Sequence, residues 1–331
     1  MTRTNRLLLL NLILLAVLLL APTLGLAEEE PPAPMQQRAP SIWDFILTAK
    51  YLSMLAVMAL AVVLLLWRKI NLWVRLTGLA VAFVLWGTDQ VFSLHPSPMC
   101  ALTKLYMFRF TNGTWIAIFL AFTLVILVPS LLGKKLFCGW VCPLGAYQEL
   151  INKIPHRFKI KQPSFRLVNG IRLALLAMFF LTFHMVRGQI LELGERVGAD
   201  TADRIWQGYS AYSVYDPINY FELLHWSLDT LFLIMMAVLV VASLVLYRPF
   251  CYTVCPIGAV TWLLEQIAPG RVRVDLQTCD ECGNCIEEAP CPTMAPLVAG
   301  RTRGIPDCTS CGECLGVCPT NSIRFTFKPG K

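Results

Sequence analysis

The sequence predicts an all-α transmembrane helical bundle followed by a small α+β domain assembled around cysteines. Three observations predict it. The chain of 331 residues is 56% hydrophobic and only 15% charged, where a soluble domain averages about 25% charged. The apolar residues lie in long runs with the charge gathered between them. Twelve of the thirteen cysteines fall into four tight groups, and two of these groups close the chain within residues 275–331.

The bundle occupies residues 28–274. Five apolar runs, 46–67, 72–92, 114–132, 171–186 and 228–247, each approach or exceed the roughly 17–25 residues that a spanning helix needs. A sixth run precedes them. Residues 1–27 carry Arg3 and Arg6 ahead of a leucine-rich stretch and end in the small residues Gly25 and Ala27. That segment reads equally as a cleaved signal peptide or a retained anchor, so the bundle has five spans, or six with the anchor.

Lys and Arg placement orients the spans. Lys134, Lys135, Lys153, Arg157, Lys159, Lys161 and Arg166 follow the third span, and Arg68 and Lys69 follow the first. Both connections are expected in the cytoplasm. The acidic connection 187–226, with Glu192, Glu195, Asp200, Asp203, Asp216 and Glu222, is expected outside, as are 28–44 and 93–112. Alternation then places the tail in the cytoplasm. The formal charge of +7 is explained by these loops, and no nucleic-acid partner is expected.

The tail reads Cys279-x2-Cys282-x2-Cys285-x5-Cys291-Pro292, then Cys308-x2-Cys311-x2-Cys314-x3-Cys318-Pro319. The second run has the spacing of bacterial ferredoxins, in which three cysteines wrap one [4Fe–4S] cubane and the fourth serves its neighbour. The expectation is a ferredoxin-like domain over 275–331 with two clusters. Cys279, Cys282, Cys285 and Cys318 hold cluster 1. Cys308, Cys311, Cys314 and Cys291 hold cluster 2. Two zinc sites would also use eight thiolates, but two Cys-Pro endings and the two-residue spacing favour iron–sulfur. The spacer 286–290 is two residues longer than usual, which the departure of Cys291 to the partner cluster accommodates.

The remaining groups are Cys138-x3-Cys142-Pro143 and Cys251-x3-Cys255-Pro256, and their surroundings repeat. Phe137 to Ala146 aligns with Phe250 to Ala259, Leu150 with Leu263 and Ile154 with Ile267. Each copy follows a span and is expected at its cytoplasmic edge, the two related by an axis along the membrane normal. Cys138, Cys142, Cys251 and Cys255 form a shared redox or metal site, holding a metal or a further cluster. Alternatively they are apolar packing thiols, with Pro and Gly shaping a bend.

Two Cys-x3-Cys-Pro motifs ahead of a double-cubane tail resemble the NapH/NosR-type membrane ferredoxin family, from about residue 114 to the end. The resemblance implies a multi-pass protein of the bacterial inner (cytoplasmic) membrane. It also implies electron transfer between the quinone pool and a redox partner such as a cytochrome or ferredoxin subunit, often in anaerobic respiration, with a role as a component of a quinol dehydrogenase. The alternative is an accessory redox protein for metal-centre assembly or oxidase maturation. The 28–44 segment is too short for a periplasmic flavin domain and no Cys-x2-Cys-His occurs, so neither covalent flavin nor c-type haem is expected. No nucleophile, base pair or phosphate loop for substrate chemistry is seen.

Among the other residues, His184, His225 and His95 lie near the outer face, as interfacial packing groups or as haem or quinol ligands. Cys100, beside Met99, is weighed as a soft metal ligand outside. Trp206, Tyr209, Tyr212, Tyr215 and Tyr220 read as an interfacial aromatic belt or a docking face.

Overall fold

The computed structural model describes residues 40–88, 90–154, 165–210, 215, 230–289, 291–301 and 307–327. Residues 1–27, His225, Tyr212 and Tyr220 lie outside them. The chain opens with a short helix, α1 (Ile42–Ile46), closed by reciprocal bonds between Ser41 and Asp44. Five apolar helices follow where apolar runs were expected: α2 (Ala49–Leu66), α3 (Leu72–Gly87), α5 (Ala117–Gly133), α8 (Phe165–Val197) and α10 (Thr230–Val245).

Helices α2 and α8 are long and apolar enough to cross a membrane. Their apolar windows are only 28% and 33% buried, and Leu52, Leu66, Leu181 and Met185 project outward. The core helix of a soluble protein hides such side chains, and water does not favour so continuous an apolar surface. The other three helices are apolar but shorter, near the lower limit for a span.

The boundaries depart from the apolar runs for visible reasons. The 72–92 run stops being helical at Gly87, where a Cβ would stand 2.8 Å from the Pro143 ring. The 171–186 run is the middle of a 33-residue helix, about 50 Å long, whose polar ends extend beyond it. Both connections read as outer loops contain helices. In the first, α4 (Pro98–Asn112) starts at Ser97, whose hydroxyl accepts from the Cys100 amide, with Pro98 in the first turn. In the second, α9 (Ala199–Ser210) folds back along α8. Of the residues read as an aromatic belt or docking face, Trp206 and Tyr209 pack on Phe183, and Tyr215 is buried against Phe179.

Each repeat is a broken helix. Copy one is α6 (Leu136–Trp140) and α7 (Pro143–Asn152); copy two is α11 (Pro249–Thr253) and α12 (Pro256–Glu265). In both, the second cysteine is the N-cap and the proline is the first helical residue, where its missing N–H costs nothing. Helix α7 packs on α3 and α10, while α12 packs on α5 and α8. Each copy thus lays its second helix on the apolar helix that leads into the other copy. Pro143 meets Gly87 at the end of α3 and Glu149 meets Arg75 near its start, so α7 runs back beside α3 and the cysteine turn is drawn into the bundle.

One carboxylate ties this junction. Glu149, fully buried, accepts from Arg75 Nε at 2.7 Å, Arg248 Nη2 at 2.5 Å and Tyr247 Oη at 2.9 Å. Arg75 also lies over the Trp140 ring, 4.8 Å from its centroid. Burial alone would raise the Glu149 carboxyl, but Arg75 and Arg248 outweigh it and hold it below the usual carboxylate range.

In the tail, β1 (Arg271–Val274) pairs antiparallel with β2 (Ile323–Thr326), Val272 opposite Phe325. Between them lie the short helices α13 (Asn284–Glu287), α14 (Met294–Val298) and α15 (Glu313–Val317). This is the small α+β unit expected of a ferredoxin-like domain.

Glu149→Gln should lower the thermal stability of the detergent-solubilised protein by about 3–5 kcal/mol, because two buried guanidinium groups lose their anion. Replacing Glu149, Arg75 and Arg248 together with apolar residues should cost less than that single change. A triple variant that melts below Glu149→Gln would refute the triad's role.

Candidate functional site

The two cysteine runs of the tail are folded alike. Glu281 and Ser310, each just before the second cysteine, take positive φ (55° and 50°), and so do Gly283 and Gly312 just after it (79° and 82°). Left-handed residues placed this way turn backbone N–H groups toward one side of the loop, making the concavity that suits an anionic iron–sulfur group. Cys279, Cys282, Cys285 and Cys318 line one pocket. Cys291 stands within electrostatic reach of Cys308 and Cys311, and Cys314 of Cys308, Cys311 and Cys291. The geometry therefore brings together both sets of four that the spacing suggested, including the exchange of Cys291 and Cys318.

The two sets differ in exposure. Cys308, Cys311 and Cys314 are buried, whereas Cys282 is exposed and flanked by exposed Asp280, Glu281, Glu287 and Glu288. The buried run is seated on the bundle by contacts to its own backbone. Trp140 Nε1 donates to Ser310 O at 2.9 Å and Tyr252 Oη to Asp307 O at 2.9 Å. A Cβ at Gly139 would stand 2.1 Å from Thr309 O, and one at Gly312 would stand 2.3 Å from Ile70. Asp307, buried, pairs with Lys135 at 2.8 Å and Arg172 at 2.5 Å. Burial acts to raise its carboxyl, yet these two cations hold it below its usual value. Lys153 and Glu313 close the rim at 2.5 Å.

Beneath this seat, Cys138, Cys142, Cys251 and Cys255 line a single cavity. Lys135 and Arg248 occupy the same place in the two copies, two residues before the aligned Phe137 and Phe250, and each reaches across to the other. Lys135 Nζ donates to Gly258 O at 2.8 Å, and Arg248 Nη1 to Cys138 O at 2.7 Å. Arg172 approaches Cys251 O in the same way at 3.5 Å. The repeated glycines make this possible: a Cβ at Gly145 or Gly258 would come within 2.9 or 2.6 Å of the first cysteine's carbonyl. Gln148 of copy one donates to Cys251 Sγ of copy two at 3.2 Å. Burial pushes the Cys138 thiol up to about 11 and Cys255 up to about 12, so these sulfurs keep their protons at neutral pH unless a metal displaces them.

Met99 and Pro98, from the first turn of α4, complete the cavity wall. Cys100 is buried but does not line it. Sequence reasoning missed Met99, Gln148, Arg172, Arg248 and Asp307. For Arg248, extending the repeat back to Lys135 would have found it; the others carry no period or spacing. Among the described residues no group of three or more His, Cys, Asp or Glu side chains could hold a metal ion. Four thiolates on one zinc converge at about 2.3 Å from the metal, whereas a cubane receives them on separate irons.

Comparison with known proteins agrees with this chemistry. A family model described as a 4Fe-4S binding domain matches residues 114–161 and 228–274, the two repeat copies with the apolar runs that precede them. The chain is 29% identical over 209 residues to the putative electron transport protein YccM of Escherichia coli, covering 61% of this chain and 53% of YccM. It is 28% identical over 217 residues to the ferredoxin-type protein NapH of the same organism, covering 62% and 66%. It is 29% identical over 165 residues to the regulatory protein NosR of Stutzerimonas stutzeri, covering 49% and 20%. The chain thus spans about half of YccM, two thirds of NapH and a fifth of NosR. No solved structure matches it.

Asp307→Asn should loosen the tail from the bundle, since Lys135 and Arg172 would be buried without their anion, at a cost of about 3–5 kcal/mol. Limited proteolysis should then release the tail fragment faster than from the unaltered chain. An unchanged cleavage rate would show that the pair does not hold the seat.

Proposed function

The chain belongs to the NapH/NosR-type ferredoxin family, and on that premise we propose that it is a multi-pass membrane electron carrier. Its tail holds two [4Fe–4S] clusters on the cytoplasmic side and exchanges electrons with the quinone pool and a redox partner protein. One observation carries this reading. Of the first set, Cys282 is exposed, Cys279 and Cys318 are half-buried and Cys285 is buried, while Cys308, Cys311 and Cys314 of the second set are buried where the tail is clamped against the bundle, so the first set lies nearer water and the second nearer the helical domain. Bound clusters supply one-electron chemistry at potentials set by burial, charge and hydrogen bonds.

The chain's own residues fit the task. The αL turns at Glu281, Gly283, Ser310 and Gly312 aim amides at the sulfurs. The proximity of Cys285 to Cys314 keeps the two sets adjacent. The exposed rim of Asp280, Glu281, Glu287 and Glu288 favours a partner with a cationic face, such as a cytochrome or ferredoxin subunit. The quinone link is supported by Tyr106 and His184, whose Oη and Nε2 stand 2.5 Å apart among Phe110, Phe179 and Phe183. Such a pair can exchange a hydrogen bond and a proton with a quinone carbonyl arriving from lipid. All five apolar helices are then spans.

Cys291→Ser should abolish the EPR signal of the cluster held by Cys308, Cys311 and Cys314 in the dithionite-reduced full-length protein, and spare the one held by Cys279, Cys282, Cys285 and Cys318. Loss of the latter instead would reverse the ligand assignment, and zinc without acid-labile sulfide would end the reading altogether.

The tail should lie in the cytoplasm. A reporter active only outside the membrane should be silent when fused after Lys331 and active when inserted at Gly198, the exposed link between α8 and α9. The opposite pattern would invert the topology.

A further inference from the structure

We propose that Cys138, Cys142, Cys251 and Cys255 together hold a third iron–sulfur cluster, shared between the two repeats, which carries electrons from cluster 2 into the bundle. The inference rests on the electron-carrier reading above and adds the site through which the bundle takes part.

The cavity resembles the cluster 1 site of the same chain. Each is lined by four cysteines, Cys138, Cys142, Cys251 and Cys255 at the repeats and Cys279, Cys282, Cys285 and Cys318 at the tail. In neither do thiols close on a single metal ion, and all thirteen cysteines are free thiols. Four thiols, two from each repeat, lining one cavity are the donor set of a polynuclear cluster.

The surroundings suit an anion. Four thiolates on a [4Fe–4S] core carry net negative charge, costly to bury without counter-charge. Lys135 and Arg248 each cross from one copy to the other's cysteine turn, and Arg172 approaches the second copy's turn too. With Arg75 these four cations share only two carboxylates, Glu149 and Asp307, which leaves an excess of positive charge beside the cavity. Two sulfurs already meet N–H donors: Gly258 N donates to Cys255 Sγ at 3.4 Å, and Gln148 Nε2 to Cys251 Sγ at 3.2 Å. Such bonds to cluster sulfurs raise the reduction potential, the direction needed to draw an electron inward. The repeat itself follows from this use: each copy supplies only two thiols, so a four-thiol site requires both.

Its position makes it a way station. Asp307 and Thr309, which flank Cys308 of cluster 2, line the cavity on one side. Pro98 and Met99, from the connection at the opposite ends of α3 and α5, line it on another. Transfer through the site moves one electron per step, from reduced cluster 2 to the repeat cluster, with no bond made or broken.

The test is iron and acid-labile sulfide per chain in the full-length protein, purified anaerobically in detergent. Three clusters give about twelve irons. Cys138→Ala and Cys251→Ala, one from each copy, should each lower iron and sulfide by about one third, and the double variant should fall no further. The EPR signals of the tail should persist in all three, which also reports that they fold. A wild-type chain with about eight irons, or variants that keep the full count, would overturn the proposal while leaving the tail clusters in place. If the variants lose their tail signals as well, the wild-type count decides alone. Iron without sulfide throughout would instead remove the electron-carrier reading on which the proposal stands.

Discussion

Buried charge shared across the two repeats is the constraint on which the rest of the structure depends. Lys135 and Arg248 occupy equivalent places and each bonds the other copy's turn. Their anions come from different sources. Arg248 is neutralised by Glu149 within the bundle, and Lys135 by Asp307 of the tail. The first pairing closes the bundle on itself; the second makes the tail part of it. A charge removed from water at either point costs several kcal/mol unless its partner is in place, so the two repeats and the tail are mutually dependent. The asymmetry of the repeats follows. Copy one has Gly139 and Trp140 where copy two has Tyr252 and Thr253, because copy one must admit the backbone at Thr309 while copy two reaches Asp307 O with a phenol.

Residues whose chemistry demands fixed spacing were legible in the sequence. The eight tail cysteines stand out by their spacing, as three ligands from one tight loop would, and Cys291 and Cys318 lie near the sets the spacing suggested. The Cys-x3-Cys-Pro repeat read equally well, because proline and glycine have positional meanings that survive divergence. Apolar runs located the five long helices but not their ends, which are set by contacts such as Gly87 against Pro143. The Ser97-Pro98 start of α4 is a legible helix signal, but the polar character of the 93–112 connection masked it. Arg172 and Asp307 were not legible at all. A lone charge has no period, and its partner is distant in sequence.

The seating of the tail uses backbone carbonyls as well as ion pairs. Ser310 O, Asp307 O and Gly133 O are each bonded to a side chain of the facing unit. Carbonyls are present at every position, so no residue type announces such an interface. What the sequence can carry is the small residue that lets the chains approach, and Gly139 and Gly312 are of that kind.

The arrangement makes the two cysteine sets of the tail unlike in their surroundings. A cluster in water and a cluster under protein respond differently to the same electron. Solvent relaxes around the exposed one, whereas the buried one has its surroundings fixed in advance by Asp307, Trp140, Tyr252 and the αL turns. Fixed dipoles need little rearrangement when charge arrives. On the proposed reading, a cluster held at the acidic rim would sit in a mobile environment and one held beside the repeats in a rigid one. Rigidity of that kind cannot come from the tail alone, with its two short strands and single-turn helices. It is supplied by the bundle, and the crossed cations that hold the bundle together are the same groups that face the cysteine cavity.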